Sequence, residues 1–177
     1  WWPYCPDARA GVQELYNNHP NVIPLIWQGN GEYESPNYGM RASQYGVSGI
    51  PHVEFGGTLT SIGGGGNMYP TYLGKYNQLI NYDSPLDIDL STTIIGGNLV
   101  TQADITVTGN VTTVDNKVLF IIIRYQDDDY FASVVSYDDM SFNLYNTGDT
   151  GQFENSVTID PSWEIETLQS VALVQSW

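Results

Sequence analysis

The second half of the chain alternates apolar and polar residues with a period of two. Between Leu86 and Leu90 the apolar residues alternate with Asp87 and Asp89, and similar segments follow to the C-terminal end. Clusters of Asp, Asn and Gly separate about seven such segments. Because successive side chains of a strand point to opposite faces of a sheet, this pattern predicts short strands with one buried face. The sequence therefore predicts an antiparallel β-sandwich over residues 84–177.

The first half has a different pattern. Apolar residues at helical spacing predict helices after Cys5, from Met40 to Tyr45 and from Tyr69 to Tyr82. Short apolar runs predict strands from Asn21 to Trp27 and just after Pro51. The density of acidic residues also increases where the hydrophobic pattern changes, near residue 83. Residues 1–82 carry five acidic and three basic side chains, whereas residues 83–177 carry fifteen acidic and two basic ones. We therefore predict two domains, 1–83 and 84–177.

Charge and residue usage exclude several classes of partner. The net charge is −15, and no basic cluster is present that could displace counterions from a nucleic acid or bind an anionic membrane. The longest apolar run, Val118–Ile123, is far shorter than the roughly 20 residues that span a bilayer. Few Lys and many Tyr, Asn, Thr, Ser and Gly predict a secreted or cell-surface protein. Since the chain starts at Trp1 without Met, we expect a product from which a signal segment has been removed.

Two segments of the first half resemble thioredoxin-fold proteins. The segment Trp1-Trp2-Pro3-Tyr4-Cys5-Pro6, at the start of a predicted helix, resembles their W-C-x-x-C-P motif. The Gly49-Ile50-Pro51 turn resembles their cis-proline loop, which implies a cis bond before Pro51.

Further stretches resemble the Omp28-related family of thioredoxin-like bacterial surface proteins. They are the run Val22–Trp27, the run from Arg41 through Tyr45 to Pro51, the Gly63–Gly66 break and the closing Val171–Gln175. The resemblance covers nearly the whole chain. It implies an α+β fold class, with an incomplete thioredoxin-like α/β domain over 1–83 followed by an antiparallel immunoglobulin-like β-sandwich over 84–177.

The chain departs from this resemblance at two points. Trp2 stands where the family has its attacking cysteine, and Cys5, at the resolving position, is the only cysteine. A dithiol redox cycle needs two thiols, so the motif is degenerate and we predict no catalytic residue. The chain also begins at the motif, whereas a thioredoxin fold has a strand before it. Either residues upstream supply that strand, or another chain donates it and the protein polymerises.

The remaining candidate residues have a structural and a functional interpretation. Cys5 could be a reactive monothiol or crosslink, although a buried inert thiol is the commoner case. Pro51 could shape a peptide groove beside Cys5 or be a structural turn. Asn110 begins the sequon Asn110-Val111-Thr112, a glycosylation candidate. His19 and His52 lack partners at metal-ligand spacing, so we predict no transition-metal site.

Acidic clusters in the second half could bind Ca²⁺, which prefers several oxygen ligands. They are Asp127-Asp128-Asp129 and, across the same predicted hairpin, Asp138-Asp139. Such clusters in loops are more often only solvated, and no EF-hand spacing is present. We predict no other cofactor, because Gly63–Gly66 lacks the Lys-Ser/Thr of a phosphate-binding loop.

Three functions remain open from the sequence. The favoured one is a non-enzymatic extracellular subunit of a bacterial surface assembly that self-associates or accepts a strand from a neighbouring chain, as in a filament. The second is an extracytoplasmic thiol-disulfide oxidoreductase or redox chaperone relative, which needs a second thiol from elsewhere. The third is a monomeric cell-surface module that binds glycans or peptides.

Overall fold

The computed structural model describes residues 3–29, 31, 34–126 and 131–176. The chain divides into two compact units. The first contains Trp1–Leu25 and Tyr38–Asp83, and the second contains Ile26–Asn37 and Ser84–Trp177.

The first unit holds three helices and one hairpin among its described residues. These are α1 (Cys5–Asn18), α2 (Tyr38–Gln44), β1 (His52–Phe55), β2 (Leu59–Ile62) and α3 (Tyr69–Leu79). Pro6 suits the first turn of α1, where a backbone N–H would have no helical partner. The small core of this unit contains Ala8 and Leu15 of α1 and Tyr72 of α3, with Val53 and Phe55 of β1 packed against it. The hairpin is thus held by one face against two helices.

The second unit holds six strands among its described residues. They are β3 (Leu86–Ile95), β4 (Asn98–Val107), β5 (Asn116–Arg124), β6 (Ser133–Ser141), β7 (Thr150–Thr158) and β8 (Leu168–Ser176). They form two antiparallel sheets with the orders β3-β4-β7 and β6-β5-β8. A single core cluster includes Ile105 of β4 and Phe120 of β5, so side chains of both sheets share one apolar interior. The packing is that of a β-sandwich.

The apolar run Val118–Ile123 lies on β5, the middle strand of its sheet. All six residues of the run are buried, so both faces of this stretch are shielded from solvent, and β5 pairs with β6 and β8. A continuous apolar segment, rather than an alternating one, is what such a position requires.

The segment Asn21–Trp27, predicted as a strand, forms only an isolated bridge. Ile26 pairs in parallel with Ser133, at the start of β6. The N–H of Ile26 donates to Ala132 O over 2.9 Å, and the N–H of Val134 donates to Ile26 O over 2.9 Å. Pro24 has no N–H to add to a longer ladder, and its neighbours make no further strand pairs. Ile26, one of the residues expected to build a sheet in the first half, therefore belongs to the second unit and pairs within it.

This arrangement corrects the fold class predicted from the sequence. The described chain is mostly β, with eight strands in three small antiparallel sheets and three short helices. An α/β domain needs parallel strands joined by crossover helices, whereas β1 and β2 form an antiparallel hairpin. The expected incomplete thioredoxin-like α/β domain with an immunoglobulin-like sandwich is therefore wrong as a description of the fold. Sandwich-like packing of β3–β8 is the part that fits.

None of the described helices is long and apolar enough to cross a bilayer, and the longest, α1, has 14 residues.

Candidate functional site

The start of α1 and the Ile50–Pro51 turn lie side by side in the first unit. The Ile50–Pro51 bond is cis, as predicted, and Pro51 is buried. A Cβ added to Gly64 would lie 2.9 Å from Tyr4 O and 3.4 Å from Pro51 Cγ. The backbone before Cys5, the proline turn and the glycine-rich break therefore meet at one place. Trp2, the other member of the degenerate motif, lies outside the described residues.

Asp7 ties the glycine-rich break to the first turn of α1. Its Oδ2 accepts a hydrogen bond from the N–H of Gly66 over 2.9 Å. A carboxylate in the first turn is also favoured by the partial positive charge of the helix N-terminus. The Gly63–Gly66 segment thus has a structural role here, since its backbone packs against Tyr4 and donates to Asp7.

The Cys5 thiol is half-buried, and its surroundings keep it protonated. Burial raises the pKa of Cys5 above its ordinary value, and the positive charge of Arg9 offsets part of that increase. Only the thiolate attacks disulfides, so a raised pKa makes Cys5 a poor nucleophile near neutral pH. This is the opposite of the environment that activates a redox cysteine.

Tyr72 is a second protic group in the core beside Cys5. Its side chain is fully buried, and its hydroxyl has no hydrogen-bond partner among the described residues. Burial, together with the nearby Cys5, raises the pKa of Tyr72 to about 12. Neither Tyr72 nor Cys5 is thus poised to exchange a proton near pH 7.

Hydrogen bonds also join polar side chains on the β1–β2 hairpin. Glu54 Oε1 lies 2.7 Å from His52 Nε2 and accepts from the Thr60 hydroxyl over 2.8 Å. These side chains share one face of the hairpin, opposite the face that packs on the helices. His19 is far from this set in sequence, and its ring packs at a tilt against that of Tyr76, with centroids 4.3 Å apart. The structure gives both histidines local partners.

The acidic residues proposed for Ca²⁺ are only partly described. Asp127, Asp128 and Asp129 lie outside the described residues. Asp139 accepts from Lys117 Nζ over 2.8 Å, and Asp138 accepts from Asn155 over 3.3 Å. Across the described chain, no three His, Cys, Asp or Glu side chains are grouped so that they could hold a metal ion. A calcium site therefore stays a sequence prediction that depends on residues 127–129.

Asn110, the glycosylation candidate, lies exposed in the connection between β4 and β5. An exposed loop is where a sequon can be modified.

The open edges of the sheets are the feature that sequence analysis did not locate. Within the part of the chain that the structure describes, the two outer strands of each sheet pair with a neighbour on one side only, apart from the Ile26 bridge to β6. Outer strands expose backbone N–H and C=O groups that can pair with another chain. Alternation in a sequence shows which residues share a face, but the order of strands depends on contacts between distant segments. The strands at the edges could not be identified from the alternation alone.

The comparisons with known proteins give one structural match. The chain is similar to HBP35 of Porphyromonas gingivalis, with a TM-score of 0.72 and 15% sequence identity. The match covers 98% of this chain and 65% of the HBP35 chain, so this chain spans about two thirds of that length. No family model matches the chain, and no curated protein matches it. At this level of identity, the similarity to a bacterial protein concerns the fold.

Proposed function

We propose that the protein is a non-enzymatic, self-associating subunit of a bacterial cell-surface assembly, held together by strand addition. The observation that carries this proposal is the set of open edges in all three described sheets. Strand addition to such an edge gains a row of backbone hydrogen bonds without a preformed pocket. A chain of this kind assembles through its backbone rather than through a catalytic site.

The β1–β2 hairpin supports the same proposal. A two-stranded sheet is only marginally stable unless more strands or a packed helix support it. Here α1 and α3 support one face through Val53 and Phe55, while both backbone edges have no further strand among the described residues. A strand from a neighbouring chain would extend this hairpin, and repeated donation from chain to chain would build a filament.

The state of Cys5 argues against the oxidoreductase alternative. It is the only cysteine of the 177 residues, and burial raises its pKa. A disulfide exchange would need an accessible thiolate and a second thiol, and residues 1–177 contain only the partly buried Cys5. The thiol is better explained as part of the packing around Tyr72.

Surface location rests on composition and on the structural match. Only five Lys and Arg stand against twenty Asp and Glu, and the residue usage is that of a secreted protein. The similarity to HBP35 of Porphyromonas gingivalis is consistent with a bacterial cell-surface role. Glycosylation of Asn110 and binding of Ca²⁺ would both fit an extracellular location, and each can be tested.

Native size is the measurement that tests this proposal. We expect light scattering and negative-stain microscopy of unheated protein to show assemblies that grow with concentration and dissociate to one chain in denaturant. A compact monomer at every concentration would overturn self-association. A disulfide-exchange assay with a model substrate, with Cys5→Ser as the matched control, should show equal background rates. Exchange that depends on Cys5 would favour the oxidoreductase instead.

A further inference from the structure

The second half of β3 is the most exposed stretch of edge strand in the second unit. From Leu86 to Leu90 the strand alternates between half-buried and exposed residues, but all five residues of Ser91–Ile95 are exposed. Ile94 is 50% exposed and Ile95 is 62% exposed. Among the described residues β3 pairs only with β4, so this segment presents both of its faces and one backbone edge to solvent.

Charge distinguishes Ser91–Ile95 from the rest of the strand. The segment Ser91-Thr92-Thr93-Ile94-Ile95 has no ionisable side chain, whereas Asp87 and Asp89 precede it. A chain with a net charge of −15 repels its own copies, so close approach is easiest where an edge is neutral. Thr and Ile also favour strand conformation, and such an uncharged edge without Pro is a template for strand pairing.

The turn after β3 determines which backbone groups point outward. Gly96 and Gly97, with φ of 58° and 83°, form a two-residue turn that is flanked by the pair Ile95 and Asn98. In a hairpin of this type the flanking pair exchanges hydrogen bonds, and every second pair does so. Hydrogen bonds to β4 therefore use Ile95, Thr93 and Ser91. The N–H and C=O groups of Thr92 and Ile94 face the open edge.

We infer that two copies of the chain pair antiparallel through the Ser91–Ile95 edge, with a two-fold axis at Thr93. This inference rests on the proposed self-association and identifies its contact. In this register Thr92 of one copy lies opposite Ile94 of the other, so the outward backbone groups meet each other. Ser91 lies opposite Ile95, and Thr93 lies opposite its own copy.

The occupant is a second copy because the edge is complementary to itself in this register. Asp89 would lie opposite Gly97 of the partner copy, so no carboxylate faces another across the contact. A basic partner would instead be attracted to the acidic half of β3. A two-fold contact closes on itself and gives a dimer, so a filament would need a second, different contact. Five residues from each copy bury far less surface area than the roughly 1,600 Å² of a standard protein–protein interface. We therefore expect the pairing to be weak and to depend on concentration.

Crosslinking tests the register directly. In the full chain with Cys5→Ser, Thr93→Cys should form a disulfide-linked dimer under mild oxidation. A directly opposite pair without backbone hydrogen bonds has its Cα atoms about 4.5 Å apart, within the range of a disulfide. Ser91→Cys is the matched control. Its two copies would lie four residues apart along the strand, roughly 13 Å, and should not crosslink. Equal crosslinking of both variants would overturn the register, as would no crosslinking of either.

A lysine at the edge tests the contact without a crosslink. Ile94→Lys should weaken the self-association measured by sedimentation at least tenfold, because it places a charge on each copy within the Ser91–Ile95 contact. Ile165→Lys, at an isoleucine that is 47% exposed in the turn before β8, makes the same change away from this edge and should leave association unchanged. Assemblies that persist in Ile94→Lys would overturn the β3 contact and leave the proposed function in place. A wild-type chain that is monomeric at all concentrations would overturn both.

Discussion

Asp89 of β3 and Asp104 of β4 lie directly opposite each other in the antiparallel register of their sheet. Both are exposed. Asp104 accepts hydrogen bonds from Gln152 over 2.8 Å and from Gln102 over 2.9 Å, and these two bonds lower its pKa. Two like charges at directly opposite positions destabilise a strand pair. Hydrogen bonds from the side-chain amides of Gln102 and Gln152 thus stabilise the charged form of Asp104, although the carboxylate of Asp89 lies opposite it.

Replacing Asp89 should therefore stabilise the protein. We expect Asp89→Asn to raise the free energy of unfolding in low salt, because it removes the repulsion from Asp104. High salt should shrink the gain, since salt screens exposed charges. Asp87→Asn is the matched control, because Asp87 lies opposite Thr106. Urea unfolding of both variants in low and high salt gives the comparison. An equal gain in the two variants would contradict the pairwise repulsion.

Lowering the pH should remove the contribution of Asp149 to the free energy of unfolding. Its Oδ2 accepts from the N–H of Asn146 over 2.9 Å and of Tyr145 over 3.2 Å, and these bonds lower its pKa below the ordinary value of 3.8. The folded state thus favours the charged form. Its contribution to stability is complete above the ordinary value and is lost as the pH falls through the lowered one.

We accordingly expect Asp149→Asn to be less stable than the wild type at pH 7 and to approach it as the pH falls below the ordinary value. Thermal unfolding across this range measures the difference. The exposed Asp83, between α3 and β3, provides the control variant Asp83→Asn. A difference from the wild type that does not change with pH would show that Asp149 acts through something other than its charge.

The two glycines in long helices should respond in opposite directions to alanine. A Cβ at Gly11 of α1 would lie 2.8 Å from Met68 Cβ and 2.9 Å from Tyr72 Cε2, so Gly11→Ala must push the core apart. We expect a loss of about 1–3 kcal/mol in the free energy of unfolding. A Cβ at Gly74 of α3 meets nothing within 4 Å, so Gly74→Ala should gain about 0.5–1 kcal/mol from helix propensity. A stabilising Gly11→Ala would show that α1 and α3 do not approach so closely.

The Cys5 thiol should react slowly with alkylating reagents. Burial raises its pKa, so the thiolate fraction at pH 7.5 is smaller than that of a free thiol, and its rate should continue to rise with pH beyond the point where a free thiol levels off. Arg9→Gln should slow the reaction further, because the charge of Arg9 lowers the pKa of Cys5. Iodoacetamide labelling as a function of pH, with glutathione as the reference, measures both effects. Labelling as fast as glutathione at neutral pH would contradict a shielded thiol.

Local patterns predicted the strands of the second half well, because each strand there has at least one face in a shared core. The alternation of Leu86, Ile88 and Leu90 reappears in β3 as half-buried and exposed positions. The residues Phe142-Asn143-Leu144 continue the alternation of apolar and polar residues, but they do not form a strand. Phe142 is fully buried in the core, and the N–H of Tyr145 donates to Asp149 in a turn. Hydrophobicity predicted burial of Phe142 but not its backbone conformation.

The first half was harder to predict because one of its apolar runs pairs with a distant segment rather than with a neighbour in sequence. The run Asn21–Trp27 has the composition of a strand, yet Ile26 finds its partner at Ser133, more than a hundred residues away. The cis bond before Pro51 follows from the family resemblance and is present in the structure. The overall sheet arrangement that the resemblance implied is absent from the described residues, since β1 and β2 form a separate hairpin.

The turn at Gly96 and Gly97 has a consequence for how this protein can vary. The pair Ile95 and Asn98 flanks the turn, and the register that starts there keeps Asp87 and Asp89 on the exposed face of β3. A shift of this pairing by one residue would exchange the faces of the strand and bring both carboxylates inward. Hairpin loops of three to five residues can join the same strand pair, and the tip is exposed, so insertions within the turn can leave both carboxylates in solvent.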